Sequence, residues 1–216
     1  SLLSNAEALV GRFQSMDQRL SEIREGINSQ ITSTIDEVNS LAKEIATLNI
    51  NIQTVEGSAL GQPVNDMLDQ RDALVRQLSE FVNVTVVRQD NGHHNVFIGN
   101  GQALVVGSQS MALKALPSPD DPGKITIALD AGNNTILLHE KQLQGGSLGG
   151  MLDFRQNSLD KAQNTLGLIA IGLAQTFNDQ HHLGQDLNGA LGEDFFEIPE
   201  PKILSLAGNS STSTIT

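Results

Sequence analysis

Cysteine, tyrosine and tryptophan are all absent from the 216 residues, and seven phenylalanines bring aromatic content to only 3%. Without cysteine there are no disulfides, thiol nucleophiles or thiolate metal sites, although the compartment stays open. Without tyrosine and tryptophan the chain lacks the rings on which nucleic-acid bases stack and from which most adhesive small-molecule pockets are built. Positive charge is scarce as well: 13 Lys and Arg stand against 25 Asp and Glu, a formal net charge of −12. Nucleic acid and anionic lipid surfaces are therefore poor partners. No run reaches the roughly 20 apolar residues of a membrane span, and no basic segment precedes an apolar one at the start. The balance that remains, 38% hydrophobic and 18% charged residues, predicts a folded, soluble chain of one or two domains. The chain opens Ser1-Leu2-Leu3 without Met and closes on a polar stretch, 208–216, as expected of an internal piece of a longer protein.

Between Leu2 and Val55 there is no proline, the only glycines are Gly11 and Gly26, and apolar residues recur at alternating spacings of three and four. One seam runs Ala6, Phe13, Leu20, Ile27, Thr34, Leu41, Leu48 and Val55. A second runs Leu9, Met16 and Ile23, then resumes one place later as Ile31, Val38, Ile45 and Ile52. Two such seams predict one long helix packed against other helices, the slip near Gly26 keeping the stripe on its partner as the helix drifts from a 3.5-residue period. At 1.5 Å per residue this helix would be about 80 Å long, a strut rather than part of a compact globule. Gly57 and Gly61 end it, and Gln62-Pro63 with Asn65-Asp66 carry the start signals of a second helix over 64–82, folded back as an antiparallel hairpin.

After Val82 the period changes. Short β-rich runs at 84–88, 95–98, 103–106, 111–116, 125–129 and 135–138 are separated by turn signals, among them Asp90-Asn91-Gly92 and Asp130-Ala131-Gly132-Asn133-Asn134, and predict one small antiparallel β unit. The glycine-rich segment 145–150 predicts a flexible junction. It leads into a third helix, about 149–182, in which Leu152, Leu159, Leu166 and Leu173 continue a heptad. Gly167 and Gly172 lower the helicity of this element, which would be explained by close backbone approach to the long helix. Beyond Gly184 the chain is polar, and Asp194-Phe195-Phe196-Glu197-Ile198 with two prolines resembles the opening of a further, truncated module.

No constellation of reactive residues stands out. His93-His94 and His181-His182 are adjacent pairs, so their rings diverge, and no H-x-x-x-H spacing sets two on one face. A solvated pair in a hairpin turn and a pair at the dipole-favoured end of a helix are the expected roles. Asp66, Asp69 and Asp72 are spread around their helix, serving helix-start electrostatics and an Asp72–Arg76 pair. The glycine-rich segment lacks a phosphate-binding lysine or G-x-G-x-x-G, and no serine lies in G-x-S-x-G. The expectation is therefore no enzyme, no metal and no cofactor. The candidate functional residues are those of the helix packing seam: Phe13, Leu20, Ile27, Leu41, Leu48, Val55, Leu152, Leu159, Leu166 and Leu173.

Several motifs in order carry a likeness. Ser4-Asn5-Ala6-Glu7-Ala8-Leu9-Val10 with Arg12-Phe13 is followed by Glu37-Val38-Asn39, Leu41-Ala42, Ile45 and Leu48-Asn49-Ile50. Further along stand Asn65-Asp66-Met67-Leu68-Asp69-Gln70-Arg71-Asp72, Asn95-Val96-Phe97-Ile98-Gly99-Asn100-Gly101 and Gly149-Gly150-Met151-Leu152-Asp153-Phe154-Arg155. Leu159-Asp160, Phe177-Asn178, Gln180-His181, Gly184 and Asp186-Leu187-Asn188-Gly189 complete the series. Over nearly the whole chain, from Ser4 to about Phe196, this pattern resembles the bacterial flagellar hook-associated protein 1 family, the hook–filament junction proteins. The resemblance implies a structural component of the flagellum that forms a ring of like subunits between hook and filament. Its neighbours would be the hook protein and hook-associated protein 3. It implies extracellular placement after type III export without a cleaved signal, and an export chaperone acting through parent-chain regions absent here, as are the family's polymerising terminal segments.

The expected fold is α+β: an elongated antiparallel helical bundle built on one very long N-terminal helix, with a small antiparallel β unit inserted between helices. Residues 1–82 and 145–190 would form the helical domain, 83–144 the β unit and 191–216 the start of an outer domain. The chain alone is expected to be largely monomeric. Two other classes compete with this reading: a cell-surface binding module, its β unit holding a ligand on a helical stalk, and a metal-dependent hydrolase using the histidine pairs. Lack of Tyr and Trp weakens the first and ligand spacing the second.

Overall fold

The computed structural model describes residues 2–57, 64–90, 92–132, 134–186 and 188–200. Gly61, Gln62-Pro63, Asn91, Asn133, Leu187, Pro201 and the polar 208–216 stretch, all used in the expectations above, lie outside these residues. The fold is α+β. Its elements in chain order are α1 (Leu2–Glu56), α2 (Asn65–Phe81), β1 (Val84–Arg88), β2 (His94–Ile98), β3 (Gln102–Val106), β4 (Gln109–Ser110), β5 (Ala112–Pro117), β6 (Ile125–Asp130) and β7 (Thr135–Leu138). A single 3-10 turn (Glu140–Gln142), α3 (Gly146–Phe154), a π-turn (Arg155–Leu159) and α4 (Asp160–His182) follow. The described residues divide into two compact units, one over 24–155 and the other made of 2–23 with 156–200.

The 24–155 unit is organised by the apolar stripe of α1. Ile31, Ile35, Val38, Leu41, Ala42 and Ile45 recur at three- and four-residue steps and are all buried. They share one core with Leu78 of α2, Val96 and Ile98 of β2, Leu104 and Val105 of β3, and Leu113, Ile127, Leu129 and Leu138 from β5 to β7. Each buried Ile or Leu contributes roughly 1.5–3 kcal/mol through removal from water.

The expected single β unit is two antiparallel sheets, one in the order β1-β2-β3-β4 and one in the order β5-β6-β7. The chain changes sheets at Met111: Gln109 and Ser110 pair with β3, the Met111 N–H donates to the Leu104 carbonyl at 2.8 Å, and Ala112 opens β5. Two polar residues suffice for β4, too short a run to read as a strand.

The glycine-rich segment is not a flexible junction, because it starts a helix. Gly145 caps α3 at φ +86°, and Gly146 follows at φ +62° with its α-carbon hard against the α2–β1 connection. A Cβ on Gly146 would stand 2.4 Å from the Phe81 carbonyl carbon, and one on Gly149 2.9 Å from the Leu143 oxygen. These glycines let α3 seat on backbone, the close approach for which glycine is suited. The converse holds at Gly167 and Gly172, where close approach was expected: a Cβ at either would meet nothing within 4 Å.

In the other unit the chain returns on α4 after the helix ends. The Asp194–Phe196 stretch folds back so that Phe195 and Phe196 lie 5.0 and 5.3 Å, ring to ring, from Phe177. Asn178, buried beside them, accepts the N–H groups of Phe195 and Phe196 at 2.9 Å and donates to the Phe196 carbonyl at 2.8 Å. One amide side chain thus satisfies three main-chain groups of a segment that has no strand partner.

Candidate interaction surface

The histidine pairs do not converge. His93-His94 was expected to be solvated, yet both rings are buried, at 7% and 6% exposure. The β1–β2 hairpin folds against α1, so His93 Nε2 meets Gln53 Oε1 at 3.1 Å while His94 begins β2 beneath Arg71 and Asn49. At the end of α4, His182 Nε2 lies 3.0 Å from Asp194, and His181 Nδ1 lies 2.6 Å from the Glu193 carbonyl. Asp72 stands 3.9 Å from His94 Nδ1, and no Asp72–Arg76 ion pair forms among the described residues. Among those residues no cluster of three or more His, Asp or Glu has metal-binding geometry.

The buried polar groups serve docking instead. Asn39 of α1 donates to the Leu113 carbonyl at 2.9 Å and accepts the Leu113 N–H at 2.7 Å, so its amide takes the place of a neighbouring strand at the free edge of β5. Asn49, one helical stretch further on and fully buried, does the same for His94, accepting its N–H at 3.1 Å and donating to its carbonyl at 3.0 Å. It also donates to Gly107 at 2.7 Å and accepts from Arg71 Nη1 at 2.9 Å. Arg71, itself bonded to the Gly92 carbonyl at 2.8 Å, is held less basic than an ordinary guanidinium chiefly by burial. A second buried cation, Arg155, projects from the π-turn to Glu140 at 2.8 Å and to Asn28 Oδ1 at 3.3 Å. Sequence patterning missed all four, since Asn and Arg beside an apolar stripe look like its polar flank. The one available signal was that Asn39 and Asn49 each follow directly on a seam residue.

The seam residues divide by position. Leu41, Leu48, Leu152 and Leu159 are buried; Phe13, Leu20, Ile27, Val55 and Leu166 are half-buried; Leu173 is 39% exposed. The second seam changes character along α1, from Ile31, Val38, Ile45 and Ile52, all buried, to Met16 and Ile23, exposed at 56% and 44%. Within the 2–23 and 156–200 unit, α1 and α4 flank an open apolar groove of about 600 Å³ floored by Met16, Leu20, Ala162, Leu166 and Ile169, with Arg19 and Lys161 among its lining. Leu168, Ile169 and Ile171 add exposed apolar surface on α4, at 72%, 53% and 45%. Exposed apolar surface of this kind makes the α1–α4 groove the candidate interaction site.

The arrangement defines a helical packing module, with sheets docked on one stretch of a long helix and an uncovered apolar face on another. The chain belongs to the flagellar hook-associated protein FlgK family: residues 1–196 match the family model for the "Flagellar hook-associated protein FlgK helical domain". It is 42% identical over 216 residues to flagellar hook-associated protein 1 of Escherichia coli K12, covering 100% of this chain and 40% of that protein. It is also 42% identical over 211 residues to the protein of the same name from Salmonella typhimurium LT2, covering 97% of this chain and 38% of the relative. Among solved structures, the flagellar hook junction protein FlgK from Burkholderia pseudomallei superposes with a TM-score of 0.88 at 38% identity, covering 96% of this chain and 38% of that one. The chain thus spans about two fifths of the length of the relatives it matches.

Proposed function

We propose that this chain is the helical packing segment of a hook–filament junction protein, a structural part of the flagellum that works by subunit–subunit contact and not by catalysis. The observation that carries the reading is the apolar groove flanked by α1 and α4, open at Met16 and Ile169 while the seam that holds Met16 is sealed from Ile31 onward. Its partners in this reading are further copies in a ring, the hook protein on one side and hook-associated protein 3 on the other. An export chaperone engages other parts of the parent chain. The site of action is the extracellular flagellum, reached by type III export without a cleaved signal; no described helix is long and apolar enough to cross a membrane. The segmentation that goes with this role assigns 1–82 and 145–190 to helical packing, 83–144 to the sheets and 191–216 to the start of an outer part.

The test uses the full-length parent protein in a flagellated strain lacking its own junction protein. Met16→Glu with Ile169→Glu should leave the circular-dichroism melting curve of the purified protein within about 0.5 kcal/mol of wild type, because both side chains are exposed. Filament assembly should fail, with filament subunit shed into the medium. Normal filaments from the double variant would overturn the reading.

A further inference from the structure

Among the polar contacts that fasten the four-stranded sheet to the helices, the one at His94 has an unusual environment. His94 is the first residue of β2, 6% exposed, with its N–H and carbonyl both bonded to Asn49 of α1. Its Nδ1 is buried without a hydrogen-bond partner. The charged groups around it are unbalanced. From α2, Arg71 presses a second positive charge on the site, and Asp72, 45% exposed, approaches Nδ1 only to 3.9 Å. From β1, Arg88 is its direct cross-strand partner. From α1, Glu56 acts on Arg71, and Gln53 is neutral and engaged with His93, the adjacent residue of the turn. A proton on this ring would be a third cation beside two arginines, in a place water does not reach.

We propose that His94, pinned by Asn49 between Arg71 and Arg88, is an acid-sensitive latch that holds the β1–β4 sheet on α1 while the imidazole is neutral and releases it on protonation. Burial, then the Arg71 charge, push the imidazole pKa below its ordinary value, with Asp72 opposing. The unfolded or released imidazole therefore takes up its proton first as pH falls. The stabilisation is complete above the ordinary histidine range and is lost as pH falls through it toward the lower value of the closed state. The second sheet supplies an internal control: β5 is held by Asn39 at Leu113, and no histidine lies within β5, β6 or β7.

The test follows residue-resolved amide exchange and the histidine ring resonances by NMR on the full 216-residue chain between pH 7.5 and 5, for wild type, His94→Gln and Asp72→Asn. In wild type, the opening of β1–β3 should grow by up to about tenfold per pH unit below the ordinary histidine value. Protection of β5–β7 should change much less. His94→Gln should abolish the difference between the sheets, and Asp72→Asn, which removes the acid that favours the imidazolium, should lower the His94 ring midpoint of the closed state and deepen the opening at the acid end. An His94 ring midpoint at or above the ordinary value would overturn the latch, as would equal acid loss in both sheets or unchanged acid loss in His94→Gln. Should His94→Gln fail to fold, the wild-type ring midpoint and sheet-resolved exchange decide alone.

Discussion

Asn49 is a small side chain with a large share of the docking. Its amide closes hydrogen bonds to His94, Gly107 and Arg71 at a largely buried site. Replacing it by Ala strands several buried polar groups at once, and a buried donor or acceptor without a partner costs about 1–3 kcal/mol. We expect Asn49→Ala to lower stability in urea unfolding by about 3 kcal/mol or more, whereas Asn51→Ala, on the exposed face two residues away, should change it by less than about 0.5 kcal/mol. Arg155 is a comparable case with charge. It is fully buried and its partner Glu140 is mostly buried, so Arg155→Ala should cost about 3–5 kcal/mol by leaving that carboxylate unpaired. In a double-mutant cycle, Glu140→Ala added to Arg155→Ala should recover part of the loss. Additive losses would show that the pair is not coupled.

At the scale of elements, two sets of glycines in one helical run behave oppositely, and only their surroundings distinguish them. In α4, Gly167 and Gly172 face open space, so Gly167→Ala should raise stability by about 0.5–1 kcal/mol through helix propensity, seen as a higher thermal midpoint. In α3, Gly146→Ala combines positive φ with a collision against the Phe81 carbonyl, and should lower stability by at least about 1 kcal/mol. Gly and helical periodicity were legible in both places. The difference between a glycine needed for contact and one merely tolerated was not, because the contact lies across the chain, from residue 146 to residue 81.

At the scale of the whole molecule, the distribution of uncovered apolar surface matters more than its total. It is concentrated on the first part of α1 and on α4, on a chain carrying a net charge of −12. Like-charge repulsion opposes association of free copies, and relatives of this family are more than twice as long as the part they share with this chain. We expect the isolated chain to sediment as a monomer at physiological salt. Rings formed by this chain alone would show that its own surfaces suffice for polymerisation.

The sequence by itself determined the long α1, whose seams are a local 3- and 4-residue rhythm uninterrupted by proline. It also determined α2, six strands placed to within a residue or two, and the family, which several ordered motifs identify. Periodicity and turn chemistry are properties of neighbours along the chain, so they survive without knowledge of the fold. Tertiary structure alone decided that the β run splits into two sheets at Met111, and that His93-His94 lies buried against α1. It also decided that Asn39, Asn49, Asn178 and Arg155 spend their hydrogen bonds on distant backbone or buried acid. Each of these depends on which unpaired main-chain group or charge ends up opposite a side chain dozens of residues away, and a buried polar residue has no periodic signature to announce it.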